Sequence, residues 1–66
     1  MQVIINGATC ELERRLMLRD LLHHFGYEQA SVAIAIDGNH VPRHRWDETA
    51  IEDGQFVEIV APMQGG

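Results

Sequence analysis

Lysine is absent from this sequence and cysteine occurs once, at Cys10. Without lysine there is no internal amine for Schiff-base chemistry. A single cysteine excludes an internal disulfide framework, and a free thiol in an unstapled small domain fits a reducing, cytoplasmic setting. Long apolar runs are missing too, since none approaches the roughly 18 residues of a membrane span. Met1-Gln2-Val3 enters a strand pattern with no basic leader region, so neither a secretory signal nor a membrane partner is expected. Positive charge is scarce: five arginine residues stand against ten acidic ones, for a formal net charge of -5. That balance repels nucleic acid and anionic membrane and favours a basic partner surface. No phosphate-cradling loop, paired carboxylates, catalytic triad or basic aromatic stripe can be assembled. Sixty-six residues make one domain. A chain of that size buries only about 60% of its unfolded surface, too little for a core and a deep catalytic pocket together. A binding or carrier module is expected rather than an enzyme.

What is present is a regular alternation of strands and turns. Val3-Ile4-Ile5 and Ala8 to Leu12 flank Asn6-Gly7, the dipeptide that accepts the positive φ values of a type I′ turn. Ala8, Cys10 and Leu12 alternate with Thr9, Glu11 and Glu13, which puts Cys10 on the inward face. Leu18, Leu21, Leu22 and Phe25 follow the i, i+3, i+4, i+7 spacing of one helical stripe. Gly26 suits the left-handed position after a helix, Tyr27 is placed to fold back on Leu22, and His23 and His24 sit at the negative end of the dipole. Met17 falls at the N-cap without a capping oxygen, partly offset by Asp20 in the first turn. Val32 to Ile36 reads as a strand, Asp37-Gly38 as a tight turn and His40-Val41 as a short strand. Pro42 to Asp53 reads mostly as loop, anchored by Trp46 and Ile51. Asp53-Gly54 turns the chain into a last strand from Gln55 to Val60, with Val57 and Ile59 on one side and Phe56, Glu58 and Val60 on the other. Pro62 ends the pairing. The expected division is a folded domain over 1–61 and a flexible C-terminal tail over 62–66. Hairpin, helix, strand, short strand, strand is the order of an α+β, ubiquitin-like β-grasp: a mixed sheet of four to five strands with one main helix on one face.

Several blocks carry a resemblance to a known family. They are Met1 to Gly7, Leu21-Leu22, Val32 to Gly38, Val41-Pro42-Arg43-x-x-Trp46, Asp53-Gly54-x-x-Val57-Glu58-Ile59-Val60 and the closing Gly65-Gly66. Across essentially its whole length the chain resembles the ThiS-type sulfur carriers of thiamine biosynthesis. It departs at Met17, where a capping Ser or Thr is usual, at Asp37, where Asn is common, and at Gln55, where Asp is frequent. The resemblance implies a cycle with Gly66 as the sulfur-carrying residue. A ThiF-like adenylating enzyme converts its carboxylate to an acyl-adenylate, and sulfur drawn from cysteine replaces AMP to leave a thiocarboxylate. A ThiG-like thiazole synthase then accepts the sulfur. No cofactor is expected on the chain itself, because ATP is used by the partner enzyme.

The chemistry of the residues is compatible with that cycle. A carboxylate is a poor electrophile, and a phosphoanhydride supplies the leaving group it lacks. Gly65 and Gly66 permit close backbone approach in a narrow slot, where a β-carbon would collide. From Ala61 to Gly66 an extended chain reaches about 20 Å, at about 3.3 Å per residue. Phe56 and Val60, with Ile4 joining if Val3 and Ile5 face the core, form a candidate apolar docking surface, and Met63 is added from the tail. The alternatives are scattered surface hydrophobes for this patch, and for the protein a carrier of another pathway such as the molybdopterin type, a non-covalent interaction module, or a protein-modifying tag. Cys10 has no local base and reads as a small buried hydrophobe. His40 and His44 have a spacing seen in zinc sites, but Pro42 lies between them and no further ligands are near. His23 and His24 diverge by about 100° around a helix and cannot chelate together. Trp46 reads as a loop anchor. Arg43 faces either a partner or the acidic loop at Asp47 and Glu48.

Overall fold

Two-residue turns with left-handed backbone set the architecture. In the computed structural model, which describes residues 1–27 and 31–61, Asn6 and Gly7 have φ of 51° and 86° and join β1 (Gln2–Ile5) to β2 (Ala8–Glu11). Asp37 and Gly38, at 50° and 83°, join β3 (Ala33–Ile36) to β4 (Asn39–Val41) in the same way. This is the I′ pattern, whose twist matches that of paired strands. The last strand, β5 (Phe56–Val60), lies in the middle of a five-stranded sheet ordered β2-β1-β5-β3-β4. It runs parallel to β1 and antiparallel to β3. The sheet is mixed, as the β-grasp reading requires.

One helix, α1 (Leu18–His24), supplies the covering layer. Leu18, Leu21 and Leu22 are buried with Val3, Leu12, Ile34, Ile36, Trp46, Ile51, Val57 and Ile59 in one cluster. Phe25, expected on the same stripe, is instead 42% exposed. It is the C-cap residue, with φ -96° and ψ 7°, so it has left the helical spiral, and its ring stands edge-on to His24 at 5.0 Å. The helix closes in a Schellman motif: Tyr27 N–H donates to the Leu22 carbonyl at 2.8 Å and Gly26 N–H to that of His23 at 3.1 Å. Gly26 has the positive φ, 83°, that this motif needs.

The helix start lacks a side-chain cap, as Met17 implied. Backbone from elsewhere substitutes: Leu18 N–H donates to the Thr49 carbonyl at 2.7 Å, while Ile51 N–H donating to the Leu16 carbonyl at 2.8 Å ties the two segments together. The segment expected to be mostly loop holds a 3₁₀ helix over Arg43–Glu48, begun after Pro42. Its short turns present Trp46 inward, where the indole is 3% exposed and its Nε1–H donates to the Val41 carbonyl at 2.9 Å. Strand bounds shift by a residue from expectation: β3 begins at Ala33, β4 at Asn39 and β5 at Phe56.

Candidate functional site

The side chains of β5 divide cleanly. Val57 and Ile59 point under the helix into the core, while Phe56, Glu58 and Val60 stand on the opposite face, which no helix among the described residues covers. Register places Ile4 beside Phe56 across the parallel pair, and Thr9 beside Ile4. On the other flank Ala35 lies beside Glu58, and Ala33 beside Val60. Ile4 joins the outer face, because Val3 is fully buried and Ile5 packs against the core. Phe56 is 41% and Val60 60% exposed, and Glu58 stands between them along the strand. Beyond Val60, a shallow apolar hollow of about 310 Å³ is lined by Ser31, Val32, Ala33 and Val60. Met63, Gly65 and Gly66 lie outside the described residues, as does the whole of 62–66.

Turn side chains hold β5 and β1 by backbone hydrogen bonds, a feature that spacing alone did not reveal. Asn6 N–H donates to the Val57 carbonyl at 2.9 Å, after which the β1 backbone turns away. The Asn6 carboxamide then takes the next rung: Nδ2–H donates to the Ile59 carbonyl at 3.1 Å, and Oδ1 accepts from Ile59 N–H at 2.8 Å. Asp37 does a similar job at the other end of the strand. Its N–H donates to the Phe56 carbonyl at 2.8 Å, and its Oδ1 accepts from Phe56 N–H at 2.9 Å. Asp53 Oδ1 accepts from Gln2 N–H at 2.7 Å and so fixes the start of β1. Each residue combines a turn with a rung, using a short side chain with a carbonyl or carboxylate oxygen.

The remaining candidates fall elsewhere. Cys10 is half-buried, packed against the core with its Sγ 3.7 Å from the Ala8 carbonyl oxygen, so its inward register holds while its burial is partial. The reason is its strand: β2 is the sheet's edge, covered only in part. His40 is exposed on β4, opposite Ala35, and His44 is exposed in the 3₁₀ helix. Among the described residues no group of three or more His, Cys, Asp or Glu side chains is placed to hold a metal. No helix among them is long and apolar enough to cross a membrane. Arg43 meets neither Asp47 nor Glu48; its guanidinium lies 5.5 Å from the Trp46 ring centroid, and that of Arg19 lies 5.2 Å from it. The acids pair instead with Arg19, at 2.9 Å to Asp47, and with Arg45, at 2.8 Å to Glu48. A hollow of about 530 Å³ lined by Glu11, Leu12, Glu13, Arg14, Leu16 and His24 lies apart from the outer face of β5.

A five-stranded mixed sheet with one helix on one face, and its last strand at the centre, defines a β-grasp module. The model of the ThiS family matches residues 3–66, and the chain belongs to that family. The sulfur carrier protein ThiS of Escherichia coli (strain K12) is 27% identical over 66 residues, covering 100% of both chains. A thiazole synthase of Paramagnetospirillum magneticum (strain ATCC 700264 / AMB-1) is 30% identical over 66 residues. That match takes in 100% of this chain and 20% of the relative, so the chain spans a fifth of its length. The crystal structure of the thiamine biosynthesis protein ThiS from Geobacter metallireducens matches with a TM-score of 0.87 at 29% identity, covering 100% of each chain. The solution structure of a thiamine biosynthesis protein from the same organism matches with a TM-score of 0.82, covering 88% of that chain.

Proposed function

We propose that this chain is a sulfur carrier of thiamine biosynthesis that bears its sulfur on the carboxyl group of Gly66 and is a substrate of enzymes rather than a catalyst. The observation that carries the reading is the end-to-end match, at equal length, to a carrier of that name. The shared fold supports it. In the proposed cycle a carboxylate oxygen of Gly66 attacks the α-phosphorus of ATP and expels pyrophosphate. Sulfide released from a cysteine-derived donor then attacks the carbonyl carbon, a C–S bond forms, AMP leaves with the oxygen it had bridged, and the proton of the sulfide passes to solvent. The product is a thiocarboxylate, a soft anionic nucleophile. Gly65 keeps the approach to the adenylating active site free of side chains.

Two partners follow from the same reading. An adenylating enzyme binds the uncovered face at Ile4, Phe56 and Val60, with Met63 contributing from the tail. A thiazole synthase receives the sulfur. That a protein named thiazole synthase contains a segment similar to this chain supports the second pairing, since joining carrier and acceptor in one polypeptide raises their effective concentration.

The decisive experiment is intact mass measurement after incubation with ATP, the adenylating enzyme and a cysteine-derived sulfur donor. A carrier gains the mass difference of sulfur for oxygen. No gain sinks the reading in favour of a non-covalent module, and covalent joining to other polypeptides points to a protein modifier. Gly66→Trp abolishes the gain and leaves the unfolding midpoint where it was.

A further inference from the structure

The outer face of β5 is already part of the proposed function, but the strand's clamps are not. β5 takes its β1-side hydrogen bonds in regular steps. Ile4 N–H donates to the Gln55 carbonyl at 2.9 Å, and Asn6 N–H to that of Val57 at 2.9 Å. The following step, at Ile59, is supplied by a side chain, because β1 has entered its turn. The Asn6 carboxamide donates to the Ile59 carbonyl and accepts from its N–H, acting as a detached peptide group. Among the described residues this is the final rung on that flank of β5. Beyond it the strand is held from the β3 side, where Val60 is opposite Ala33.

We propose that Asn6 is a positioning residue for the carrier terminus: its carboxamide fixes the end of β5, and thereby the direction in which the chain leaves the sheet towards Gly66. This rests on the reading of Gly66 as the reacting residue. Without the carboxamide the N–H and C=O of Ile59 lose their partners on this flank and exchange with water, so the strand end frays. A frayed end aims the exit from β5 less narrowly, and fewer bound carriers present Gly66 to the partner's active site at a given moment. Docking through Ile4 and Phe56 is remote from that end, and Val60 keeps its pairing with Ala33 on the β3 side. The consequence is a fall in turnover at saturating carrier, not a weaker encounter.

Asp37 provides a matched control within the same molecule. It too occupies the first position of a two-residue turn, at φ 50°, and it too clamps a β5 backbone group, but at Phe56, the end remote from the tail. Glycine tolerates the backbone of either position, so Asn6→Gly and Asp37→Gly each remove one clamp and keep the turn. The assay is ATP–pyrophosphate exchange catalysed by the adenylating enzyme from the same organism, with carrier concentration varied, at a temperature where circular dichroism shows both variants folded.

Asn6→Gly is expected to lower kcat about tenfold with KM within about twofold, while Asp37→Gly leaves kcat within about twofold of wild type. Simple loss of folded protein gives the opposite split, an increased apparent KM with kcat kept. Amide exchange followed by NMR supplies the second readout: Ile59 N–H loses protection in Asn6→Gly and keeps it in Asp37→Gly. If Asn6→Gly does not fold, Asn6→Asp serves, since it keeps the acceptor for Ile59 N–H, loses the donor and sets a carboxylate oxygen against the Ile59 carbonyl. Equal kcat for the Asn6 and Asp37 variants, with wild type active, overturns the positioning role and leaves the carrier reading intact. A wild-type chain that supports no exchange overturns the carrier reading, and this inference with it.

Discussion

Within β5, Val57 is 0% exposed and Ile59 6%, whereas Phe56 is 41% and Val60 60% exposed. All four are apolar and all four belong to one strand, so hydrophobicity alone does not account for the difference. The cover does: α1 and the 3₁₀ helix lie over one face, and the strand's period of two sends alternate residues to opposite sides. An apolar side chain on the covered face drives folding, because its surface leaves water when the chain collapses. One on the open face is left largely in water by folding, and its surface is still available for burial against a partner. The inner face therefore sets stability and the outer face is free to set recognition.

The contrast can be tested from both sides, and the largest effect is expected inside. Ile59→Ala removes buried methylenes from a close-packed cluster and should cost about 2–5 kcal/mol. A domain of this size has about 3–10 kcal/mol in all, at roughly 0.05–0.15 kcal/mol per residue. Urea unfolding should show a large drop in midpoint or no folded baseline at all; a shift under 1 kcal/mol contradicts the burial assigned to this face. Trp46→Phe keeps most of the packing but leaves the Val41 carbonyl without its indole donor, for a loss of about 1–3 kcal/mol in the same assay.

Met17→Ser goes the other way. It supplies the capping oxygen that α1 lacks at an exposed position, and should stabilise by about 1 kcal/mol. For a domain this small that raises Tm by about 4–8 °C, readable by circular dichroism. Phe56→Glu changes stability by about 1 kcal/mol or less, the span of strand propensities. Its effect belongs in binding: titration with the adenylating enzyme should show at least about a tenfold loss of affinity, as for truncation of an interface anchor. An unchanged affinity with intact folding removes Phe56 from the docking surface. Smallest of all, Arg15→Ala breaks the exposed ion pair with Glu52 and should change stability by about 0.5 kcal/mol or less.

The turns were legible because their requirement is local. A left-handed pair of residues needs Asn, Asp or Gly whatever surrounds it, so Asn6-Gly7 and Asp37-Gly38 announce themselves. What those side chains do next was not legible, since their partners are remote in the chain. Asn6 reaches Ile59 across 53 positions, and Asp53 reaches Gln2 across 51. Phe25 failed for a related reason: its spacing fits the helical stripe, but the Schellman closure at Gly26 ends the helix one residue too early. The 3₁₀ helix was hidden because its only deep anchor is Trp46, and one buried residue makes no period.

By itself the sequence determined what nearest neighbours along the chain impose: the alternating strands, the I′ turns, the weak helix start at Met17 and the inward set Val57 and Ile59. Periodicity and backbone sterics act over a few residues and can be read there. Only the tertiary structure decided which flank of β5 each turn would clamp, that Arg43 would lie against Trp46 rather than beside Asp47 or Glu48, and that Phe56 and Ile4 would be neighbours. Those outcomes depend on strand order and register, and no local rule brings β1 and β5 side by side before the sheet has formed.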